Sequence, residues 1–359
     1  MMPKGTQNER SPNETIIITG GSGLIGSAAA RRLAQHYNII VLDLQQPADL
    51  PPQIEWVSVD LTSDNSVQRG LDHLRRERGE QISSLIHLAA YYDFSGEPSP
   101  NYEAVTVRGT QRLLRGLQRF QLEQFIFSSS MLVHAPCEPG EHINEDWPVD
   151  PRWDYPKSKI ETEKLILAER GNIPAVLLRV AGVYDDICHS LPLAHQIQRI
   201  YERQLISHLF PGSIAHGQAF LHLEDLLDAF ELLVRRRAKL PAELTLLIGE
   251  SETLSYNELQ KTFGNLLYHE NWDTHEVPKS LAKTEVWFEA NLPLPETPFI
   301  KPWMIDFADD HYALDITRAR TALGWEPRRR LRDTLPKMVA ALQADPASWY
   351  QAHKLDHKR

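Results

Sequence analysis

Residues 15–43 constrain this chain more than any other stretch. Thr15 to Thr19 is a short, β-branched apolar run, the pattern of a buried strand. Gly20, Gly23 and Gly26 follow at G-x-x-G-x-x-G spacing. They open a small-residue helix through Leu24, Ile25 and Ser27-Ala28-Ala29-Ala30. A second apolar run, Asn38 to Leu42, ends in Asp43. Strand, glycine turn, helix, strand and acid in this order suit a dinucleotide. One glycine makes the tight turn, the next admits a pyrophosphate, and the third lets helix and strand pack closely. The unpaired N–H groups at the helix start offer the phosphates partial positive charge. Asp43 lies 20 residues past Gly23. Its carboxylate can accept both adenosine ribose hydroxyls and would repel a 2′-phosphate, which reads as NAD rather than NADP. The competing reading is a glycine-rich turn with no ligand.

Composition narrows the partners. The formal net charge of −10 argues against nucleic acid or an anionic membrane. The one dense basic run, Arg328 to Arg332, reads as a solvated face. Cys137 and Cys188 form no C-x-x-C pair, and the fifteen histidines form no H-E-x-x-H cluster, so neither a disulfide framework nor a metal is expected. Met1 to Asn13 is polar and unlike a signal peptide. No run reaches the ~18–20 apolar residues of a spanning helix. The expectation is a cytoplasmic protein with flexible tails at 1–13 and 352–359.

Strand-like and helix-like segments alternate through the first half, implying a parallel sheet with helices on both faces. Further strands are expected at 54–59, 85–90, 125–130 and 175–180, with helices at 63–78, 101–120 and 155–169. Alternation then breaks down. Helices are expected at 191–209, 224–237, 255–267, 316–325 and 331–342, with strands at 220–223 and 244–249. Residues 270–312 are rich in proline and aromatics, including Trp272, Trp287, Phe288, Phe299, Trp303 and Phe307. They read equally as a cap over the core or a substrate-shaping lid. The fold class is α/β: a doubly wound Rossmann-type sheet over 14–185, and a smaller mixed substrate lobe over 186–350 with segments returning to the first domain.

Tyr155 and Lys159 stand four apart at a helix start, so both project from one face. A free phenol has a pKa of about 10, and burial raises it. An ammonium at ~4 Å in an effective dielectric near 20 supplies about 4 kcal/mol, roughly three pKa units. Lys159 is therefore expected to bring Tyr155 toward neutrality, where it can exchange a proton while hydride moves to or from nicotinamide. Lys159 would also hold the nicotinamide ribose. Ser130, at a strand end, would hydrogen-bond the substrate oxygen, since a hydroxyl both donates and accepts.

With these residues in order, the chain resembles the extended short-chain dehydrogenase/reductases, the NAD-dependent epimerase/dehydratase family. The resemblance spans about residues 14–345. Thr19 to Gly26 looks like the family's T-G-x-x-G-x-x-G, Asp60-Leu61 like its adenine-contacting pair, and Leu88-Ala89-Ala90 like the strand end under the cofactor. Ser128-Ser129-Ser130 precedes Tyr155 as in sugar-nucleotide epimerases. Phe220 to Leu226 and Leu323-Gly324-Trp325-Glu326-Pro327 match two further family segments. Thr106 stands where the family usually has Asn. Met131 and Leu132 replace the acid pair of 4,6-dehydratases. Gly182 and Gln218 stand where sugar-nucleotide enzymes often carry an Asn and an Arg for the diphosphate, with His216, Arg199 or Arg203 as possible substitutes. Of the remaining residues, His87 reads mainly as a core histidine. His134 divides between packing and function, and His222 reads as packing. Tyr92 and Phe94 are expected to border the nicotinamide, and Tyr92, Met131, His134, Gln218 and His222 are the candidate substrate residues.

The leading expectation is an NAD-dependent sugar or sugar-nucleotide epimerase passing through a transient ketone. The alternative is a net dehydrogenase or reductase of a less polar alcohol, steroid-like or phenolic. A third reading is a non-catalytic NAD sensor. The resemblance also implies a homodimer through the helices at 101–120 and 155–169.

Overall fold

The computed structural model describes residues 14–93, 97–283 and 301–355. Seven strands form one parallel sheet. In chain order they are β1 (Thr15–Thr19), β2 (Asn38–Asp43), β3 (Glu55–Ser58), β4 (Ser84–His87), β5 (Phe125–Ser130), β6 (Ala175–Val180) and β7 (Glu243–Ile248). Their spatial order is β7-β6-β5-β4-β1-β2-β3. The order reverses between β1 and β4, and the carboxyl ends of strands at such a point form the ligand crevice of open α/β sheets.

The central runs are largely apolar because both faces are covered, with polar residues such as His87 and Ser128 to Ser130 towards the strand ends. Ile16 and Ile18 point into one core, with Ala29, Ala30 and Leu33 of α1 (Leu24–Leu33) and Leu226, Phe230 and Leu233 of α6 (Leu223–Arg236). Ile17 points into the other. There it meets Val67, Leu71 and Leu74 of α2 (Asp64–Arg78), Leu113 and Leu117 of α3 (Arg108–Leu117) and Ile166 of α4 (Asp154–Glu169). A third core belongs to the C-terminal lobe. It joins α5 (Leu191–Tyr201), α7 (Tyr256–Tyr268), α10 (Leu331–Ala344) and α11 (Pro346–His353) through Ile197, Phe263, Leu335, Met338 and Trp349. A short α8 (Pro302–Asp306) and α9 (Thr317–Leu323) lie between α7 and α10.

Several sequence expectations are corrected. The strand expected at 85–90 stops at His87, and Leu88 to Ala90 continue outside the ladder. The helix expected from 101 opens as a π-helix, Tyr102–Val107. Its wide turn lets the Thr106 hydroxyl accept from Tyr91 N–H at 3.0 Å, so Thr106 ties down the loop after β4. The helix expected over 191–209 ends at Tyr201 because Arg203 adopts φ +51°, and a 3₁₀ turn, Leu205–His208, follows. The tail expected to be flexible from 352 is helical through His353, and residues 356–359 lie outside the described residues. His353 is buried, and its Nε2 meets the Cys188 carbonyl at 2.7 Å. Phe94, Trp287, Phe288, Phe299 and the tail at 1–13 lie outside the described residues. Among the described residues, no helix is long and apolar enough to cross a membrane.

Two distant segments meet at α6. Asp225 is fully buried, and its carboxylate accepts Arg328 N–H (3.1 Å), Arg329 N–H (2.9 Å) and the Arg329 guanidinium (2.7 Å). The Trp325 indole donates to the Asp225 carbonyl at 3.0 Å, and Gly324 turns the chain at φ +57°. Removing one member of a buried, hydrogen-bonded charge cluster costs about 3–5 kcal/mol, whereas a half-exposed pair contributes about 1 kcal/mol or less. Asp225→Ala should therefore lose about 3–5 kcal/mol in urea unfolding. A loss below about 1 kcal/mol would show that the carboxylate does not anchor the segment after Trp325.

Candidate functional site

The glycine turn sits where β1 leaves the sheet. Gly20 has φ +72°, and a Cβ there would lie 2.7 Å from Ala89 N, so the turn presses against the end of β4. A Cβ at Gly26 would lie 2.2 Å from the Gly20 carbonyl oxygen, which lets α1 start against the turn. At Gly23 a Cβ would meet only that same oxygen, at 3.5 Å. Gly23 is the N-cap of α1 and no side chain caps it, so the first N–H groups, at Leu24 and Ile25, are left for a phosphate. Asp43 closes β2. Its Oδ2 accepts the Ser22 N–H (2.9 Å) and hydroxyl (2.8 Å), and its Oδ1 accepts Gln45 N–H (3.2 Å). A carboxylate has about four acceptor positions and three are taken, so one remains for a ribose hydroxyl. The residues present fit a dinucleotide. Past β3, Asp60 Oδ1 accepts the Thr62 hydroxyl (2.7 Å) and N–H (2.8 Å), which hold its carboxyl below the usual range. Leu61 is buried beside it and packs under Gly109.

Beneath the turn runs a buried hydrogen-bond chain. Ala89 N–H donates to Thr19 Oγ1 (3.2 Å), which donates to His87 Nδ1 (2.6 Å). His87 Nε2 donates to Thr110 Oγ1 (2.7 Å), which donates to the Thr106 carbonyl (2.6 Å). These partners define a neutral imidazole. Burial, then the Lys159 charge, push its pKa down to about 3. His87 is a core residue joining β1, β4 and α3.

Ser130 ends β5 and Tyr155 and Lys159 open α4, so parallel pairing brings all three to the crevice. Ser130 Oγ accepts Leu132 N–H at 3.2 Å and also hydrogen-bonds Tyr155. Lys159 is buried. It donates to the Ser128 carbonyl at 2.7 Å, and its Nζ lies 5.6 Å from the Tyr155 ring centroid and 4.9 Å from that of Phe127. The expected fall of Tyr155 toward neutrality is not found in this structure. Burial pushes the phenol up to about 12, opposed by the Ser130 hydrogen bond. Burial likewise pulls Lys159 down to about 7, opposed by Glu163. Desolvation of both groups outweighs their mutual effect.

The substrate candidates separate. Tyr92 is half exposed and packs edge-on against Tyr155, with ring centroids 4.6 Å apart. Met131 is buried behind Ser130. His134 is buried, with Nδ1 donating to the Trp147 carbonyl (3.0 Å) and Nε2 accepting from Arg179 (3.0 Å). His222 caps α6, its Nδ1 accepting Glu224 N–H (3.1 Å) while Nε2 faces Asp186 (3.3 Å). Both histidines thus have their ring nitrogens engaged within the protein. Gln218 is half-buried in a bridge to Tyr312.

Other residues at this end were not singled out as site residues. Trp153, the N-cap of α4, lies 5.4 Å from the Tyr155 ring and 5.1 Å from Trp303 of α8, which reaches Phe307 at 6.3 Å. The aromatic density of 270–312 was the signal for half of this wall; nothing local marked Trp153. Glu163 and Arg179 form a buried pair beside Lys159. An arginine inside the apolar run of β6 was the visible sign of it.

Asp43→Asn tests the adenosine end. A hydrogen bond to a charged group contributes about 1.5–3 kcal/mol, so NAD should bind roughly 10- to 150-fold more weakly by calorimetry. NADP affinity should hold or improve, since the repelling charge is gone. An unchanged NAD affinity would remove Asp43 from the site.

Comparison with known proteins agrees with this geometry. The family model described as the NAD dependent epimerase/dehydratase family matches residues 16–249. A UDP-glucose 4-epimerase from Streptomyces lividans is 26% identical over 362 residues, covering 94% of this chain and 96% of the relative. A 3 beta-hydroxysteroid dehydrogenase/Delta 5-->4-isomerase from Mycobacterium tuberculosis is 24% identical over 254 residues, covering 60% of this chain and 66% of the relative. The matches to several other curated relatives likewise cover only about half to two-thirds of their length. In fold, the chain is similar to a dTDP-glucose 4,6-dehydratase from Bacillus anthracis solved with NAD (TM-score 0.71, 18% identity, 95% of this chain and 99% of that one). The chain belongs to the NAD dependent epimerase/dehydratase family, an enzyme family whose cofactor, NAD, the turn before α1 is built to hold.

Proposed function

We propose that this protein catalyses the reversible, NAD-dependent interconversion of a secondary alcohol and a ketone, on a substrate that presents an apolar ring beside the reacting carbon. The nicotinamide of NAD supplies the hydride acceptor or donor. Tyr155 exchanges the proton with the substrate oxygen, Ser130 holds that oxygen, and Lys159 holds the nicotinamide ribose. In the reductive direction the neutral phenol favoured by burial is the form required, because it donates its proton to the carbonyl oxygen. In the oxidative direction the phenol must first lose its proton, which the Lys159 ammonium and the positive oxidised ring both favour.

The observation that carries the substrate class is the aromatic wall. Tyr92, Trp153, Trp303 and Phe307 follow one another from the Tyr155 ring outward. Flat apolar surface of this kind is matched by a ring face, not by a diphosphate. The three residues named as substitutes for a diphosphate clamp are otherwise engaged. Arg203 pairs with Glu270 at 3.0 Å and lies over the Tyr268 ring, His216 meets the Asp309 carbonyl at 2.5 Å, and Arg199 hydrogen-bonds Tyr256. The rival reading, a sugar-nucleotide epimerase that recycles its NAD, is favoured by similarity along nearly the whole length of the Streptomyces epimerase.

Two measurements test this. Apolar cyclic alcohols should raise the melting temperature of the NAD-loaded protein by mass action and yield stoichiometric NADH. Stabilisation by UDP-sugars alone, with epimerisation and no net NADH, would sink the apolar reading in favour of its rival. Tyr155→Phe should lower kcat by about 10²–10⁴ while NAD affinity is kept. Full turnover in that variant would remove Tyr155 from the chemistry.

A further inference from the structure

Glu163 lies one helical turn beyond Lys159, on the same face of α4. It is almost fully buried, and both of its carboxylate oxygens are hydrogen-bonded. Its Oε1 accepts the Ser129 hydroxyl (2.5 Å) and Arg179 Nε (3.1 Å), and its Oε2 accepts Arg179 Nη2 (2.7 Å). Arg179 comes from β6, where it interrupts an apolar strand. Its remaining nitrogen donates to His134 Nε2 (3.0 Å) and the Glu145 carbonyl (3.1 Å). Arg179 is ion-paired with this carboxylate, while Lys159 stands one helical turn away and acts on it through space, the neighbouring Ser128 and Ser129 of β5 holding the ammonium and the carboxylate respectively.

The other groups facing Lys159 contribute no compensating charge. From α4 there is the Tyr155 phenol, and from β5 the Ser128 carbonyl and the Phe127 ring. From β4 there is His87, neutral by its threonine partners, and beyond Arg179 there is His134, whose Nε2 is an acceptor. The Glu145 carboxylate is turned away, accepting Leu247 N–H (2.9 Å) and facing Arg318 (3.4 Å). Arginine cannot deprotonate in a protein. Any shortfall of negative charge in this cluster must fall on Lys159, which would lose its proton.

We propose that Glu163 is a positioning residue that keeps Lys159 charged, and that Arg179 sets the strength of this effect by drawing on the same carboxylate. The proposal rests on the reading of Lys159 as a working residue. Ser129, adjacent to Ser130, ties the same carboxylate to the strand end, so one buried anion couples the lysine helix to the serine strand.

The two arms carry opposite signs. Glu163→Gln keeps the shape and removes the anion, leaving two buried cations. Lys159 should then titrate about one to three pH units lower. Arg179→Met removes the competing cation and leaves the carboxylate to Lys159 alone, so its midpoint should rise. The direct readout is the pH dependence of the Lys159 Nζ signal in the full-length protein labelled with ¹⁵N-lysine and assigned by its loss in Lys159→Met. It needs no substrate, so failure of this proposal is distinct from failure of the catalytic reading. Lys159 works while charged, and activity that depends on it is lost as pH rises through its midpoint. Glu163→Gln should move that loss to lower pH, and Arg179→Met to higher. Should either variant fail to fold, Glu163→Asp, which withdraws the anion by one methylene, must lower the midpoint by less than full removal. Midpoints that move in the same direction in Glu163→Gln and Arg179→Met, or one unmoved in Glu163→Asp, would overturn the proposal.

Discussion

The approach of Gly20 to Ala89 is the contact on which the rest of the molecule depends. No side chain fits between β1 and the end of β4 there, and only glycine adopts the turn without cost. Because the turn is tight, α1 starts against the sheet with its first N–H groups facing the crevice. Because the sheet order reverses at the same place, β4 and β5 deliver Ala90 and Ser130 to one side of that crevice while β2 delivers Asp43 to the other.

Beneath this crevice the protein keeps an unusual amount of polar chemistry out of water. His87 and His134 are buried and engaged at both nitrogens, Lys159 and Arg179 are buried basic residues, and Glu163 is ion-paired with Arg179. Burying charge costs several kcal/mol per ion unless hydrogen bonds satisfy it. Here each group does find partners, and their geometry leaves Lys159 as the one basic group able to respond. Its charge is therefore a property of the cluster. This is why the simple expectation of a lysine lowering a nearby phenol did not describe the protein: desolvation acts on both members of that pair at once.

The substrate side is built differently. It consists of aromatic rings contributed by the loop after β4, by the start of α4 and by α8, placed edge to face and tilted against one another. The chain that follows α9 is held to α6, a helix of the sheet's core. There Asp225 receives the chain after Trp325, and His222 caps the helix. The two sequence segments that looked like separate family signatures are thus the two halves of one joint.

By itself, the sequence determined the features whose causes are local. The strands at β1, β2, β5 and β6 follow from short apolar stretches, which need covering on both faces, even where Ser128 to Ser130 and Arg179 interrupt them. The turn follows from glycine spacing, and the pairing of Tyr155 with Lys159 from helical periodicity. The tertiary structure alone decided what depends on burial and on distant partners. It brought Trp303 to Trp153 across about half of the chain, ended α5 at Tyr201, and turned His134 and His222 inward to bond within the protein. It also set Arg179 on the carboxylate of Glu163. Charge states in this cluster depend on how much water is excluded and on which cation meets which anion. Both are fixed only when the sheet order and the seating of the C-terminal lobe are fixed.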